Sequence, residues 1–167
     1  MVSRSRQALV DALARHDRLL EVGVGDRPEV ARSLAERGRD VVAVDVAVGE
    51  RTRAAVRETD GATVAGSLRV IEGDVLDLAE PAEAAVESGP AGATGEFDAV
   101  YACNLPAELQ RPTVALADRL EAACLFTTLG FEEPTIPVRR RSLPETTVYV
   151  ARGDPPGGDA SGPDRRR

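Results

Sequence analysis

The side chains best placed to do chemistry are a few carboxylates grouped around two glycines. Gly23 and Gly25 lie in Arg18-Leu19-Leu20-Glu21-Val22-Gly23-Val24-Gly25-Asp26-Arg27-Pro28-Glu29. Leu19, Leu20 and Val22 read as a short buried strand, the glycines as a turn that a side chain would obstruct, and Pro28 as the first turn of a helix. Asp26 is placed to cap that helix, with Glu29 three residues on at capping-box spacing. A strand, a glycine turn and a helix start together let a ligand approach the backbone and meet its N–H groups. Asp45 follows Gly25 by 20 residues, the spacing at which an acid reaches a ribose diol. Its carboxylate can accept from both hydroxyls and would repel a 2′-phosphate; the alternative is a strand-end cap. Asp74, in Glu72-Gly73-Asp74, could accept from an adenine amino group or simply form a turn.

The same turn argues against a dinucleotide. A dinucleotide fingerprint needs a third glycine where this chain has Pro28, and a pyrophosphate needs a clear approach to the helix start, which Asp26 fills with negative charge. An NAD-binding Rossmann protein is therefore a weaker expectation than a protein for a nucleoside ligand without phosphate. Further along, Asn104 and Glu108 are the candidates for direct chemistry. Glu108 could act as a general base if its pKa were raised, or it could be a first-turn carboxylate favoured by the helix dipole. Two cysteines (Cys103, Cys124) and one histidine (His16) cannot make a standard zinc site, so no metal is expected.

These residues need a scaffold that brings strand ends together. Residues 2–16 read as an amphipathic helix with Leu9, Val10 and Leu13 on one face, and with His16 at its solvent-facing end. Residues 28–37 form a crossover helix on Val30, Ala31, Leu34 and Ala35, ended by Gly38. Val41 to Val44 is a fully apolar strand, as expected where both faces are covered. A weak helix over 49–59, a strand over 68–71, a helix over 76–88 and a loop over 89–96 follow. Residues 97–102 make the fourth strand, Pro112 starts a helix, and 123–129 make the fifth strand. Thr135–Arg139 and Thr146–Ala151 read as a closing pair. Alternating strands and helices predict an α/β, doubly wound, mostly parallel Rossmann-like sheet with an antiparallel closing pair. Ligands bind such sheets at the carboxyl ends of the strands. That rule gathers Glu21, Gly23, Gly25, Asp45, Asp74 and Asn104 into one crevice. Residues 1–151 are expected to be a single domain and 152–167 a disordered tail.

The composition limits the partners. The chain of 167 residues is 43% hydrophobic but only 3% aromatic, so the core must be aliphatic. Net charge is −7, and all 21 basic residues are Arg. This pattern is similar to that of extreme halophiles, where acidity serves solvation. A net acidic surface disfavours a general nucleic-acid-binding module. Arg139-Arg140-Arg141 could bind an anionic substrate or RNA phosphates, or be a solvated turn. With no signal peptide and no apolar run of membrane length, the chain is expected in the cytoplasm with free thiols.

Glu21-Val22-Gly23-Val24-Gly25, Val41 to Asp45, Gly73-Asp74 and Phe97-Asp98-Ala99-Val100 together resemble the ordered motifs of class I S-adenosylmethionine-dependent methyltransferases. The resemblance covers about residues 18–128. It implies that Glu21, Gly23 and Gly25 face the methionine part of S-adenosylmethionine, that Asp45 holds the ribose and that Asp74 holds the adenine. It leaves the methyl acceptor open. Arg27 stands where the family has a third glycine. Asn104-Leu105-Pro106-Ala107 matches the first position of the amino-methyltransferase motif Asn/Asp-Pro-Pro-aromatic but lacks its first proline and its aromatic. The chain also resembles a small family of uncharacterised archaeal proteins, through Leu-Glu-Val-Gly-Val-Gly at 20–25, Pro-Ala-Glu-Leu-Gln at 106–110 and Leu-Phe-Thr-Thr-Leu-Gly-Phe-Glu at 125–132. A non-catalytic nucleoside-binding regulatory module on the same fold is the alternative reading.

Overall fold

The computed structural model describes residues 3–79 and 97–153. Ser3 caps the first helix, α1 (Arg4–Leu13), by accepting the amide of Arg6. The strands are β1 (Arg18–Val22), β2 (Asp40–Asp45), β3 (Ser67–Glu72), β4 (Ala99–Ala102), β5 (Ala123–Phe126), β6 (Arg139–Leu143) and β7 (Thr146–Arg152). Between them run α2 (Glu29–Glu36), α3 (Glu50–Gly61), α4 (Val75–Ala79) and α5 (Ala107–Leu120). All seven strands form one sheet in the order β3-β2-β1-β4-β5-β7-β6. β1 to β5 pair in parallel, while β7 runs antiparallel to both β5 and β6. This is the expected doubly wound sheet with its antiparallel closing pair. β7 separates β5 from β6, so the order differs from the 3-2-1-4-5-6 order of dinucleotide-binding sheets.

Successive strand residues point to opposite faces, and both faces are covered. Leu19, Val41, Leu68 and Leu125 pack with Leu9, Leu13 and Leu34 from α1 and α2. Leu20, Val42, Val44 and Val100 pack with Leu116 and Ala117 from α5. Burial on both sides is why the central strands β1, β2, β4 and β5 are mostly apolar runs rather than alternating ones. It also makes the exceptions conspicuous: Glu21 is only 2% exposed, within β1.

Local chemistry moved several expected boundaries. α5 begins at Ala107, after Pro106 at φ −68°, and not at Pro112, which lies inside the helix and forfeits one intrahelical bond. The segment 135–138 is not a strand. Pro137 has no N–H for a ladder, and the amide and hydroxyl of Thr135 are both taken by the Gln110 side chain (2.8 and 3.1 Å). Arg139-Arg140-Arg141 is accordingly no turn but the start of edge strand β6. β5 stops at Phe126, and β7 runs on through Arg152, which had been expected in the tail. His16 is buried rather than at a solvent-facing helix end. Asp26 does not cap α2: Pro28 occupies that N-cap position, while Asp26 Oδ1 accepts the Arg51 amide in the first turn of α3 at 2.7 Å. The expected helix over 76–88 is seen from Val75 to Ala79; its remainder, the 89–96 loop and tail residues 154–167 lie outside the described residues. No helix among the described residues is long and apolar enough to cross a membrane.

Candidate functional site

The site begins with a register. Parallel pairing of β1 with β4 sets Glu21 beside Tyr101, so their side chains share one face of the sheet. There the Tyr101 hydroxyl donates to Glu21 Oε2 at 2.9 Å. Burial dominates the Glu21 carboxyl and pushes its pKa up to about 8, with Glu29 and Asp45 adding to the rise and Tyr101 and Arg27 opposing it. Glu21 is therefore a neutral acid at pH 7, able to donate as well as accept. Burial and neighbouring Glu21 likewise hold the Tyr101 phenol well above its usual range. The same two causes raise the thiol of Cys103, and burial pushes Cys124 up to about 12, so neither is an activated nucleophile.

Beyond Val22 the chain turns on Gly23 (φ +81°) and Gly25 (φ +52°), in the left-handed region that glycine enters without penalty. The turn is braced from below. The amide of Gly23 donates to the Val44 carbonyl at 2.8 Å. The amide of Gly25 donates to Asp45 Oδ2 at 2.7 Å, and Asp45 Oδ1 accepts the Ala47 amide at 3.0 Å. The Gly25 carbonyl accepts from the Gly49 amide (3.0 Å) and the buried Thr52 hydroxyl (2.8 Å). A Cβ on Gly23 would meet nothing within 4 Å and would instead point into open space beside the turn.

That space is a cavity of about 170 Å³, with room for on the order of ten water molecules. Glu21, Gly23, Arg27, Asn104 and Thr127 line it, and α1 contributes Arg6. Asn104 takes a left-handed backbone, φ +54°. Its amide donates to Thr127 Oγ1 at 2.9 Å, and the Leu105 amide donates to the Thr127 carbonyl at 2.8 Å. The exits of β4 and β5 are thus zipped together. In the orientation that satisfies both ends, the Asn104 side chain donates to the Thr128 carbonyl and accepts from the Arg27 guanidinium, each at 3.3 Å.

Of the residues expected to converge, Glu21, Gly23 and Asn104 share the cavity, and Gly25 and Asp45 are joined directly to each other. Asp74 does not line the cavity; its Oδ1 accepts the Leu76 amide at 2.9 Å, at the start of α4. Glu108 is exposed on the first turn of α5, also outside the lining. Sequence reasoning missed Arg6, Cys103, Thr127 and the cavity-facing role of Arg27. Thr127 was findable, because it follows a strand end like the others. Arg6 was not, because nothing in a helical pattern says that the polar side of α1 overhangs the turn.

Comparisons with known proteins agree with this architecture. A family model described as Uncharacterised protein family (UPF0146) matches residues 5–79. UPF0146 proteins from two strains of Halobacterium salinarum are each 40% identical over 141 residues, covering 84% of this chain and 91% of the relative. Among solved structures, an RNA methyltransferase from Salinibacter ruber in complex with S-adenosyl-L-homocysteine is similar over 94% of this chain and 97% of its own, at 18% identity and TM-score 0.56. The S-adenosylmethionine-dependent methyltransferase SibL, in its apo form, is similar over 91% of this chain but only 55% of its own, at 20% identity and TM-score 0.58. Magnesium protoporphyrin IX methyltransferase (ChlM) from Synechocystis PCC 6803, with bound SAM, is similar over 87% of this chain and 77% of its own, at 13% identity and TM-score 0.54. At these identities the likeness is one of fold: a Rossmann-like sheet of class I methyltransferase type.

Proposed function

The chain belongs to the UPF0146 family, and we propose that it is an S-adenosylmethionine-binding protein of methyltransferase type. One observation carries the reading: the Gly23–Gly25 turn, clamped by Asp45, opens onto a cavity whose wall includes the buried Glu21, held by the Tyr101 hydroxyl. The donor set fits an uncharged-sugar nucleoside joined to an amino acid. Glu21, Gly23 and Gly25 would border the methionine part. Asp45 keeps lone pairs beyond the two amides it accepts, enough to take ribose hydroxyls. Asp74 would lie on the adenine side. When bound, S-adenosylmethionine supplies an electrophilic methyl group. The protein's part is then mainly orientation, which needs neither triad nor metal.

A second reading, a nucleoside-binding module without catalysis, is favoured by one observation. The Asn104 side chain, the group that would greet a methyl acceptor, is engaged with Arg27 and Thr128. Calorimetric titration of the full chain with S-adenosylmethionine, S-adenosylhomocysteine and NAD separates the readings. Heat with the first two and none with NAD is expected, and no heat with the first two would overturn both the cofactor and the function. Binding without label transfer from methyl-labelled cofactor to a cell extract would favour the second reading.

A further inference from the structure

A second recess lies at the opposite edge of the sheet. It opens at the start of β5, the start of β6 and the end of antiparallel β7, beside the connection from α1 into β1. All of these lie at the amino ends of the parallel strands, away from the Glu21 cavity. Its volume is about 50 Å³. Leu125 and Val150 are paired across β5 and β7, and Val150 is paired with Arg139. These partners share a sheet face, so the recess has an aliphatic floor. Arg15, Arg139, Arg141 and Arg152 surround it.

Such a cluster runs against the rest of the molecule. Net charge is −7, and many arginines elsewhere face carboxylates singly, as in Arg32–Glu58, Arg37–Asp11 and Arg53–Glu72. Arg140, on the other face of β6, shows what a structural arginine does here: it pairs with Glu133 and lies over the Tyr149 ring. Arg152 is held by Asp118 at 2.8 Å. Arg139 and Arg141 form no ion pair among the described residues, although both lie on one face of an exposed edge strand. Like charges at this spacing repel unless an anion sits between them. The guanidinium groups of Arg139 and Arg141, two residues apart on one face of β6, offer more N–H donors than the two oxygens of a carboxylate can use. A tetrahedral phosphate can accept from several of them in bidentate fashion.

We propose that this recess is a phosphate-binding site, for inorganic phosphate or for a phosphodiester of a single-stranded nucleic acid. It is separate from the cofactor cavity, and its test does not depend on the proposed function. Inorganic phosphate is titrated calorimetrically into the full chain, and a labelled single-stranded RNA oligonucleotide is followed by fluorescence anisotropy over a range of KCl. R139A/R141A should weaken phosphate binding about tenfold or more, as expected for losing bidentate charged contacts, while Arg140→Ala leaves it unchanged. If a strand is the source, RNA binds too, and the slope of log affinity against log salt falls by about 1.4 in the double variant, roughly 0.7 per lost contact. If free phosphate is the source, only the calorimetric arm responds. Should the alanine pair disturb β6, R139Q/R141Q keeps the side-chain length and decides the matter. Failure of the unmodified chain to bind either probe, or equal binding by the neutralised variants, overturns the site.

Discussion

The Asp45 carboxylate accepts the amide of Gly25 at 2.7 Å, across 20 residues of chain. That bond joins the end of β2 to the glycine turn after β1, the two elements a nucleoside would have to touch at once. Asp45 is thus both a brace for the turn and the proposed ribose acceptor. Asp45→Ala should abolish S-adenosylmethionine binding in calorimetry. It should also lower stability by about 2 kcal/mol, in line with a hydrogen bond to a charged group, measured by denaturant unfolding. Asp45→Asn separates the roles: its amide oxygen can still accept from Gly25 but its NH2 cannot accept from Ala47, so stability returns in part while ribose affinity does not. Undiminished affinity in Asp45→Ala would refute the ribose assignment.

Glu21 makes stability depend on pH in a defined direction. Its pKa rises from 4.5 in the unfolded chain to about 8 in the fold, chiefly through burial. Between those values the native state holds a proton that the unfolded state has lost, so stability falls as pH rises. The contribution is fully present below about pH 4.5 and gone above about 8. Within the window the slope approaches 1.4 kcal/mol per pH unit. Glu21→Gln keeps an acceptor for the Tyr101 hydroxyl and should flatten that slope in unfolding curves measured from pH 5 to 8 (about the width of the shift). A cationic ligand in the cavity should also expel the proton. Binding enthalpies in buffers of different ionisation heat should then differ for the natural chain and coincide for Glu21→Gln.

Most of the sheet was legible because it rests on rules that act within one segment. Val41 to Val44 had to be a strand buried on both faces, and Gly23 and Gly25 had to turn. The carboxyl-edge rule then placed Glu21, Gly23 and Asn104 around one space without any distance being known. What escaped depends on partners far along the chain. Asp26 has capping-box spacing to Glu29, yet caps α3, because the Gly25–Thr52 contact brings Arg51 to it. Thr135 looked like strand until Gln110, 25 residues away, took its amide. Arg139 to Arg141 looked like solvated punctuation, and only pairing with Val148 and Val150 made them strand. Arg27 reads as a missing glycine in sequence; only the fold aims it at Asn104.

The displaced cap yields its own test. Asp26 Oδ1 holds the Arg51 amide, and a Cβ on Gly49 would come within 2.2 Å of that same oxygen. Asp26→Ala should cost about 1 kcal/mol as a lost N-cap. Gly49→Ala should cost a similar amount by pushing the Asp26 side chain off the helix. Because both act on one contact, the double variant should be less destabilised than the sum of the singles. Additive losses in denaturant unfolding would show that Asp26 and Gly49 act independently.

Arg27 stands at the position where a third glycine was expected, and its guanidinium reaches the Asn104 oxygen at 3.3 Å. The contact ties the glycine turn to the exit of β4, and both residues line the cavity. Arg27→Gly and Asn104→Ala should therefore be coupled in a double-mutant cycle, by about 0.5–1 kcal/mol for a partly solvated pair. The stability cycle should be run alongside cofactor titration. If the tie closes the cavity mouth, Arg27→Gly should bind S-adenosylmethionine faster in stopped-flow mixing, because the turn no longer has to part from Asn104. Asn104→Ala should give the same acceleration, and the double variant no more than either single. Zero coupling in the cycle, or accelerations that multiply in the double variant, would show that Arg27 fills the glycine's place without guarding the cavity.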